Sequence, residues 1–333
     1  MLAILAASTG TPQAANARSR RWADNSVLAQ GRWTRITLQS DSIYFLSDGQ
    51  LAEMGINPSC ARVYGYGGHR QDELLDADAD WDDLEEVSLL PVSGGYLFHA
   101  DGLLHWKDSR HVRNHYAREA SYFVTEADSP VPTFPTAGAT PAAADGPTTT
   151  FAAYAVYSPE AYAFFQGGRK LFEGSDINGG TRTYTLPLPA EAASTDGLLR
   201  ISFAAANLRP MELTTTFNGV EFPPEEFPEY PDDYSYAVVR CDNFDVTNVA
   251  DPSTIQLKAT TGRRGRLDYI ELVYTGLARI SPDRPYVQFT LPATRSGEAI
   301  RIEYADGQQP QLWRLAEPGR PAAMVQAATT TAD

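Results

Sequence analysis

The sequence contains few cysteines: Cys60 and Cys241 are the only two among 333 residues. Secreted domains that rely on disulfide bonds have many cysteines at short spacings. Two cysteines that lie far apart, in what we predict to be different domains, do not form such a framework. We expect two buried or inert thiols, with a bond between them as the open alternative.

Positive charge is also scarce. The 27 lysines and arginines are outnumbered by 42 aspartates and glutamates, which gives a formal net charge of −15 and a pI near 4.8. A nucleic-acid ligand requires a basic surface that can displace the counterions of its phosphates. We therefore expect no nucleic-acid partner, and we interpret the acidic residues, which are spread over predicted loops, as a source of solubility.

Long apolar runs are missing as well. No stretch approaches the roughly 18–20 apolar residues of a membrane span, so we expect no spanning segment. The apolar run Met1–Ser8 is short for a signal peptide and has no basic residue before it, but Ala15–Ala17 has the small-x-small form of a signal-peptidase site. We interpret residues 1–25 as a signal-peptide remnant and leader, and we predict an exported mature chain.

The sequence does have enough apolar content for two cores. Hydrophobic residues make up 43% of a chain whose length suits two domains. Residues 127–150 are rich in Pro, Ala, Thr, Gly and Ser, with Val131 and Phe134 as anchors, and this composition predicts a linker. We predict a second linker at residues 309–333, which end in Pro, Ala and Thr.

Residues 26–126 predict a small β-rich module. Trp33–Leu38 and Ser42–Leu46 are rich in β-branched and aromatic residues around a Gln-Ser-Asp turn, a pattern typical of a hairpin. Ser47–Gly55 predicts a short helix that a serine or aspartate caps and a glycine ends. Ala120–Thr125 is the last predicted strand of this module.

Residues 151–308 are rich in strand patterns and poor in helix patterns. Strands at intervals of roughly 10–20 residues, separated by turn residues, predict an antiparallel sandwich. The predicted strands include Thr181–Leu186, Leu199–Phe203, Leu213–Phe217, Tyr236–Val239, Thr254–Thr260, Leu267–Thr275 and Tyr286–Leu291. The predicted fold class is all-β, with a small N-terminal module followed by a larger, jelly-roll-like β-sandwich.

The histidines are concentrated in one stretch, which begins shortly after Cys60. They are His69, His99, His105, His111 and His115. A cysteine nucleophile needs a base, so Cys60 with one of these histidines is one hypothesis; the absence of a nucleophile elbow or flanking signature favours an ordinary thiol. His111 and His115 could bind zinc if they were on a helix, but no glutamate lies between them, which favours solvated or stacked imidazoles.

An acidic loop offers a weak calcium hypothesis. Asp76, Asp78 and Asp80 alternate along the chain, as the oxygen ligands of calcium loops do. The EF-hand template requires Gly at its sixth position and Glu at its twelfth, where this sequence has Trp81 and Val87. We therefore favour a solvated acidic turn, keep a looser calcium site as the alternative, and predict no other cofactor.

Two further patterns do not define a site. Gly65, Gly67 and Gly68 lack the Lys and Ser/Thr of a phosphate-binding loop. A group of aromatic residues at the start of the second module could stack on a sugar if exposed, although core or interdomain packing is favoured. These residues are Tyr154, Tyr157, Tyr162, Phe164 and Phe165. We assign no catalytic, cofactor-binding or metal-binding residue from the sequence.

A series of short segments occurs in a characteristic order. They are Ser26–Trp33, Ser42–Tyr44, Met54–Pro58, Val63–Gly68, Asp83–Val87, Tyr96–Gly102, Asn114–Tyr116, Ser121–Thr125, Gly168–Gly174, Leu267–Leu272 and Pro310–Leu315. The first resembles the pattern SVLA-x-G-[KR]-W and Leu267–Leu272 resembles LDYIEL. Together they resemble the N-terminal region of PorU-type sortases of the type IX secretion system, which are gingipain-like cysteine peptidases.

This resemblance implies a function. In that family a cysteine peptidase domain follows these modules, removes the C-terminal secretion signal of exported cargo and helps to attach the product to anionic lipopolysaccharide. The catalytic Cys and His of that domain have no counterpart here, so no catalytic residue is carried over. We therefore expect the non-catalytic N-terminal scaffold of a PorU-like surface protease, with the peptidase domain downstream.

The resemblance also implies partners and a location. The expected partners are the downstream peptidase domain, other type IX secretion components and the C-terminal signal domains of cargo. We expect the protein at the outer-membrane surface or outside the cell, after transit through the periplasm. The alternative is a free-standing secreted β-sandwich module that binds glycan or protein at the cell surface.

Overall fold

The computed structural model describes residues 2–7, 25–70, 83–107, 109–137, 148–165, 170–229, 236–291, 300–305, 310–315 and 323–325. The chain forms two compact units. The first unit comprises Met1–Pro147, Ile280–Ala299 and Tyr304–Asp333, and the second comprises Thr148–Arg279 and Ile300–Glu303. The fold is all-β, as predicted. The functional domain boundaries that we predicted from the sequence stay a prediction.

The secondary structure consists almost wholly of strands. In chain order they are β1 Leu2–Ala7, β2 Thr34–Leu38, β3 Ser42–Ser47, β4 Ala61–Gly67, β5 Glu86–Val87, β6 Leu90–Val92, β7 Gly95–Ala100, β8 Leu104–Lys107, β9 Arg110–Arg113, β10 Ala120–Glu126, β11 Thr136–Ala137, β12 Thr150–Tyr157, β13 Thr181–Leu186, β14 Ala192–Ala205, β15 Met211–Phe217, β16 Val220–Glu221, β17 Glu225–Phe227, β18 Val238–Val246, β19 Ser253–Ala259, β20 Gly265–Leu277, β21 Gln288–Leu291, β22 Gln311–Leu315 and β23 Ala323–Val325. Helix α1 spans Asp48–Glu53, and 3-10 turns span Val27–Ala29 and Pro58–Cys60. None of the helices in the described part of the chain is long and apolar enough to cross a membrane.

Helix α1 begins and ends where the sequence predicted. The Ser47 side chain accepts a hydrogen bond from the backbone N–H of Gln50 (3.1 Å), and the Gln50 side chain accepts one from the N–H of Ser47 (2.9 Å). This reciprocal pair is a capping box, which satisfies two N–H groups that the helix itself cannot. Gly55 follows the helix with a φ of +70°, a conformation that favours glycine.

The predicted hairpin is wrong, although both of its strands form. The first unit contains the sheets β2-β10-β4-β5, β3-β7-β6, β8-β9 and β11-β23-β22-β1-β21. Strand β2 pairs with β10 and strand β3 pairs with β7, so consecutive strands enter different sheets. At the turn between them Asp41 accepts a hydrogen bond from the N–H of Gly102 (2.5 Å), so contacts distant in sequence replace the local pairing.

Sheet β3-β7-β6 is packed on both faces. One face shares a core with β2-β10-β4-β5 and α1, composed of Leu46, Leu51, Ile56, Ala61, Val63, Leu89, Phe98, Ala100, Tyr122 and Val124. The other face, which includes Ile43, Val92 and Leu97, packs on a second cluster of Leu90, Phe134, Trp313 and Leu315. Successive residues of β7, Leu97 and Phe98, therefore serve different cores, as the two-residue period of a strand requires.

The linker predicted at residues 127–150 is ordered where the structure describes it. The N–H of Val131 donates to the carbonyl oxygen of Ser59 (2.9 Å), and the guanidinium of Arg62 donates to the carbonyl oxygen of Pro130 (2.8 Å). These bonds hold the segment against the first unit because the Arg62 side chain is itself buried. The prediction of a linker is corrected for residues 127–137.

The predicted linker at residues 309–333 also contains strands. Gln311–Leu315 forms β22, and Trp313 in this strand is 0% exposed. The ring of Trp313 lies 4.9 Å from that of Phe134. The surrounding sequence has the Pro, Ala and Thr composition of a linker, although Gln311–Leu315 has the apolar pattern of a strand. Burial in the first unit stabilises this strand.

The second unit is an antiparallel sandwich, which confirms the predicted architecture. Its sheets are β12-β20-β14-β18 and β13-β19-β15-β16, with β17 also paired to β15. The predicted strand Thr181–Leu186 coincides with β13. The rings of Phe203 and Phe227 are in edge contact at 5.8 Å within the core. The segment predicted as the sandwich strand Tyr286–Leu291 instead forms β21, which pairs with β1 of the first unit.

Both cysteines are free thiols, and their burial differs from what we expected. Cys60 is partly buried and Cys241 is exposed, so of the two expected alternatives a buried thiol is wrong for Cys241 and an inert one stays a prediction. The Sγ of Cys241 lies 3.2 Å from the hydroxyl of Tyr269.

Truncation of Trp313 tests whether β22 is part of the folded first unit. We expect Trp313→Ala to reduce the free energy of unfolding by about 3–5 kcal/mol, because it leaves a large cavity in a buried cluster. Urea denaturation measures this loss, with Tyr116→Ala as the control because Tyr116 is exposed in the same unit. An unchanged unfolding curve for Trp313→Ala would mean that residues 311–315 are a linker and not part of the folded first unit.

Candidate functional site

Five ionisable side chains converge in the first unit, and we call them the histidine cluster: Asp41, His69, His99, Asp101 and His105. His99 lies on β7 and Asp101 follows that strand, while His69 follows β4. Asp41 lies in the turn between β2 and β3, and His105 lies on β8. The cluster therefore forms where elements from four parts of the sequence meet.

Glycines bring these elements together. Gly67 has a φ of +71°, and a Cβ atom at this position would lie 2.5 Å from the carbonyl oxygen of Asp101 and 2.6 Å from the hydroxyl of Tyr122. A Cβ atom at Gly68 would lie 2.5 Å from the carbonyl oxygen of Gly102. No other residue fits these positions without displacing backbone. The glycine run that ends β4 is thus a packing motif that brings His69 close to Asp101.

Asp101 is the centre of the cluster. Its Oδ1 atom lies 3.4 Å from Nε2 of His69 and 3.9 Å from Nδ1 of His99. The imidazole rings of His69 and His105 stack with a centroid separation of 4.4 Å. One carboxylate therefore faces two buried imidazoles, and a third imidazole stacks on one of them.

Backbone hydrogen bonds fix the elements that carry the cluster. The hydroxyl of Tyr122 accepts a hydrogen bond from the N–H of Asp101 (2.8 Å). The side-chain amide of Asn114, at the end of the β8-β9 hairpin, donates to the carbonyl oxygens of Gly68 (2.9 Å) and His69 (3.3 Å). The hairpin that carries His105 is thus held to the end of β4.

The two carboxyl groups of the cluster have opposite pKa shifts. Burial and the neighbouring Asp101 raise the pKa of Asp41 from 3.8 to about 6, against the N–H of Gly102 and the imidazole of His69. Burial also acts to raise the pKa of Asp101, but the adjacent imidazoles outweigh it and leave this pKa below 3.8. The cluster thus keeps one carboxylate ionised while the other takes up a proton near pH 6.

Two imidazoles of the cluster, those of His99 and His105, resist protonation. Burial lowers the pKa of His99 below 6.5, with Asp101 opposing the shift. Burial, followed by the charge of His69, lowers the pKa of His105 to about 4, and Lys107 and Arg70 act in the same direction. Burial and Asp101 also raise the pKa of Tyr122 well above 10, so its hydroxyl stays neutral.

Some polar atoms of the cluster are buried without a hydrogen-bond partner among the described residues, namely Nε2 of His99 and Nδ1 of His105. Within that same part of the chain, no group of three or more His, Cys, Asp or Glu side chains is arranged to hold a metal ion. What the arrangement can do chemically is take up and release protons inside a packed core.

The structure does not bring Cys60 to the histidine cluster. Cys60 precedes β4 and His69 follows it, so a strand about 20 Å long lies between them. The Sγ of Cys60 instead lies 3.6 Å from Oγ of Ser59 and 3.9 Å from Nδ2 of Asn57. The hypothesis of a Cys60–histidine pair therefore has no geometric support.

The other predicted sites have different outcomes. His111 lies on strand β9, so the helical spacing that a zinc site with His115 would need is absent. The ring of His111 is in edge contact with Trp106 at 6.2 Å. The acidic loop Asp76–Asp80 lies outside the described residues, and the calcium hypothesis stays a prediction.

The aromatic group at the start of the second module is divided between packing and exposure. Tyr162, Phe164 and Phe172 form successive edge contacts at 5.3 and 5.0 Å. Phe165 is 59% exposed and stacks on Tyr236, which is 50% exposed, with ring centroids 5.2 Å apart. Tyr162 and Phe164 thus pack against a buried ring, as favoured, whereas Tyr157 is exposed and the Phe165–Tyr236 pair forms an exposed aromatic surface.

Sequence reasoning found the histidines but missed Asp41, Asp101 and Tyr122. These three residues are ordinary in sequence, and only the pairing of β3 with β7 and of β4 with β10 brings them together. The available signal was the coincidence of Gly67-Gly68 with Gly102 near histidines, since glycines next to strands permit close backbone approach.

Comparison with known proteins places the fold. No family model matches the sequence, and no curated protein matches it. Among solved structures, the chain is similar to the dimeric latent PorU from Porphyromonas gingivalis, with 21% identity and a TM-score of 0.71. The match covers 93% of this chain and 30% of the PorU chain, so this chain spans less than a third of that protein. At this identity the similarity shows the fold.

Two carbohydrate-binding modules also match in part. A family 35 module from Clostridium thermocellum has 12% identity and a TM-score of 0.24, and covers 37% of this chain and 90% of its own. The CBM35 from Cellvibrio japonicus Abf62 has 15% identity and a TM-score of 0.26, over 38% and 96%. TM-scores this low carry no argument about function.

The histidine cluster predicts an acid-sensitive first unit. The unfolded chain binds protons on its histidines near pH 6.5, whereas folded His99 and His105 resist protonation, so stability is lost as the pH falls from 6.5 towards 4. Asp41 acts oppositely, because the folded chain protonates it near pH 6 and the unfolded chain only near 3.8. The stability lost through the two histidines exceeds the stability gained through Asp41. Asp101 adds a further loss of stability below pH 3.8, because its folded pKa is lowered.

We expect His105→Gln to reduce the slope of the free energy of unfolding against pH. The reduction corresponds to at most one proton, or about 1.4 kcal/mol per pH unit. Urea denaturation between pH 7.5 and 4.5 measures the slope. His111→Gln is the matched control, because His111 lies on the paired strand of the same hairpin but outside the cluster. Equal slopes in wild type and His105→Gln would exclude His105 as the source.

Proposed function

We propose that the two units form the non-catalytic N-terminal scaffold of a PorU-like surface cysteine protease, which removes C-terminal secretion signals from type IX cargo. The chemistry belongs to a peptidase domain downstream of these units. The scaffold packs against that domain and positions it relative to cargo and to other secretion components. In this proposal the protein is exported through the periplasm and acts at the outer-membrane surface or outside the cell.

One observation carries the proposal: 93% of the chain matches 30% of PorU with a TM-score of 0.71. The match spans both units, so it concerns their order along the chain as well as the fold of each. The ordered series of sequence segments between residues 26 and 316 supports the same relationship independently of the coordinates.

The geometry of the candidate site is consistent with a scaffold. Cys60 and His69 lie at opposite ends of β4, so they do not form a nucleophile–base pair. The imidazole of His99 is buried and that of His105 is partly buried, and the pKa values of both are lowered. A general base for hydrolysis at neutral pH works best with a pKa near 7 and with access to substrate. The histidine cluster therefore suits a structural role better than a catalytic one.

A cleavage assay tests the proposal. The recombinant chain is assayed alone and joined to its genomic downstream segment, with peptides that carry type IX C-terminal signals as substrates. We expect cleavage only by the joined protein, because its downstream part supplies the nucleophile and the base. The downstream segment expressed alone should be less active or less stable than the joined protein, since it lacks its scaffold.

Two variants sharpen this assay. Cys60→Ala and His105→Gln in the joined protein should leave the rate of cleavage at saturating substrate within about twofold of wild type, because neither residue takes part in the chemistry. Cleavage by the isolated chain that Cys60→Ala abolishes would overturn the proposal and make the first unit an enzyme.

A second candidate function is glycan binding by the sandwich, and the exposed Phe165–Tyr236 stack favours it. Flat aromatic rings offer an apolar face to the C–H surface of a sugar. The Phe165–Tyr236 pair presents its rings to solvent and not to the core. In this reading the second unit is a surface module whose ligand is a polysaccharide of the cell envelope.

Affinity electrophoresis in gels that contain soluble polysaccharides or purified lipopolysaccharide tests glycan binding. Phe165→Ala and Tyr236→Ala should each weaken retention by roughly 2- to 12-fold, the equivalent of one lost aromatic stacking contact. Leu208→Ala is the control, because Leu208 is 73% exposed in the same unit and is not aromatic. Equal mobility with and without every polysaccharide would exclude this function.

A further inference from the structure

The β8-β9 hairpin is attached to the first unit more weakly than the other strands. In the described part of the chain, β8 and β9 pair with each other and with no third strand. None of their residues is fully buried, and neither strand contributes to the apolar cores around Phe98 and Trp313. A two-stranded hairpin is marginally stable by itself in water. The position of this hairpin therefore depends on the contacts at its base.

The contacts at the base join the hairpin to the end of β4. The side-chain amide of Asn114 donates to the carbonyl oxygen of Gly68 (2.9 Å). Leu103, which is 5% exposed, packs on Gly68, where a Cβ atom would lie 2.8 Å from Cδ2 of Leu103. The ring of His105 stacks on that of His69 with a centroid separation of 4.4 Å and an interplanar angle of 30°. Of these three contacts, the stack is the one that a proton can change.

The charged groups around the stack are mostly cationic. The groups that act on His105 are one carboxylate and three groups that carry or can take up positive charge, namely Asp101, His69, Arg70 and Lys107. Val112, the partner of His105 on β9, has no charge. The carboxylate of Asp101 is shared, because it also lies 3.4 Å from Nε2 of His69 and 3.9 Å from Nδ1 of His99. A second positive charge in the stack would therefore have no carboxylate of its own.

The docked hairpin resists a proton that an undocked hairpin accepts. Nδ1 of His105 is buried without a hydrogen-bond partner among the described residues, so a proton added there would have no acceptor. Burial, followed by the charge of His69, lowers the pKa of docked His105 to about 4, whereas a solvated imidazole titrates near 6.5. The contribution of His105 to docking is therefore complete above pH 6.5 and is lost as the pH falls from 6.5 towards 4.

We propose that the β8-β9 hairpin is an acid-sensitive switch, which undocks from the end of β4 when His105 is protonated while the rest of the first unit stays folded. Undocking breaks the bonds of Asn114 and exposes Leu103, so proton uptake exposes a surface that is covered at neutral pH. Asp41 stays in the turn between β2 and β3, bound to the N–H of Gly102, so its titration does not oppose undocking. This inference concerns the first unit alone and does not rest on the proposed function.

Hydrogen exchange of the full chain tests the switch. Protection factors of the amides in Leu104–Arg113, corrected for the intrinsic exchange rate, are measured at pH 7.5 and 5.0. We expect them to fall roughly 30-fold, because one proton changes the opening equilibrium tenfold per pH unit below 6.5. At both pH values the hairpin should exchange at least tenfold faster than Ala120–Glu126 in the core, since local opening precedes global unfolding. Equal protection of the two segments would mean that only global unfolding exposes the hairpin, and would overturn the switch.

Two substitutions at His105 remove its titration in different ways. His105→Phe keeps a ring that can stack on His69, and His105→Gln keeps a polar side chain, so one variant preserves docking if the other loosens it. In both we expect hairpin protection at pH 5.0 to stay within about threefold of that at pH 7.5. His111→Gln is the matched control on the paired strand and should keep the 30-fold fall. The same fall in the folded His105 variants would overturn His105 as the proton acceptor.

Asn114→Ala separates docking from titration. It removes hydrogen bonds to the end of β4 and changes no titratable group, so hairpin protection should fall by roughly tenfold at both pH values and keep its pH dependence. Unchanged protection would mean that these bonds do not dock the hairpin, and would overturn the switch. Wild-type protein returned from pH 5.0 to pH 7.5 should regain its protection fully, and a permanent loss would show irreversible unfolding instead.

Discussion

The first unit depends on a close approach of two backbones at the ends of β4 and β7. Gly67 and Gly68 lie so near the carbonyl oxygens of Asp101 and Gly102 that a single additional carbon atom would collide with them. This contact holds the sheets β2-β10-β4-β5 and β3-β7-β6 at a fixed separation and brings ionisable groups from both into one core. The histidine cluster is thus a consequence of steric fit, and its shifted pKa values are a consequence of the burial that this fit imposes.

The buried charged side chains have different partners in the two units. In the sandwich, Glu271 is 0% exposed and its Oε2 lies 3.3 Å from Nη1 of Arg200 on the neighbouring strand. The hydroxyl of Ser202 donates to Asp268 (2.8 Å) in the same sheet. The charged groups of Arg200 and Glu271 are therefore paired with each other, whereas the histidine cluster of the first unit holds three imidazoles and two carboxyl groups.

The sequence was informative about local structure and much less so about assembly. Alternation in Thr181–Leu186 and the serine and glycine at the ends of α1 are local signals, and the structure agrees with both. The pairing of β2 with β10 is set by contacts distant in sequence, and the local turn signal at Asp41 predicted a hairpin instead. The meeting of Asp41 with Asp101 follows from that pairing, so no local pattern could have located the histidine cluster. Trp313 was missed because its neighbours have the composition of a linker.

The order of strands along the chain has a consequence for folding. The sandwich is built almost wholly from the continuous stretch Thr148–Arg279, so its sheets can close as soon as that stretch is available. Phe134 of the first unit precedes that stretch, yet it reaches its contact with Trp313 only after residue 313 has been synthesised. The strands of the first unit that precede the sandwich are therefore completed after it, and their apolar surface is exposed throughout the interval. During synthesis these strands are therefore more exposed to aggregation than the sandwich is.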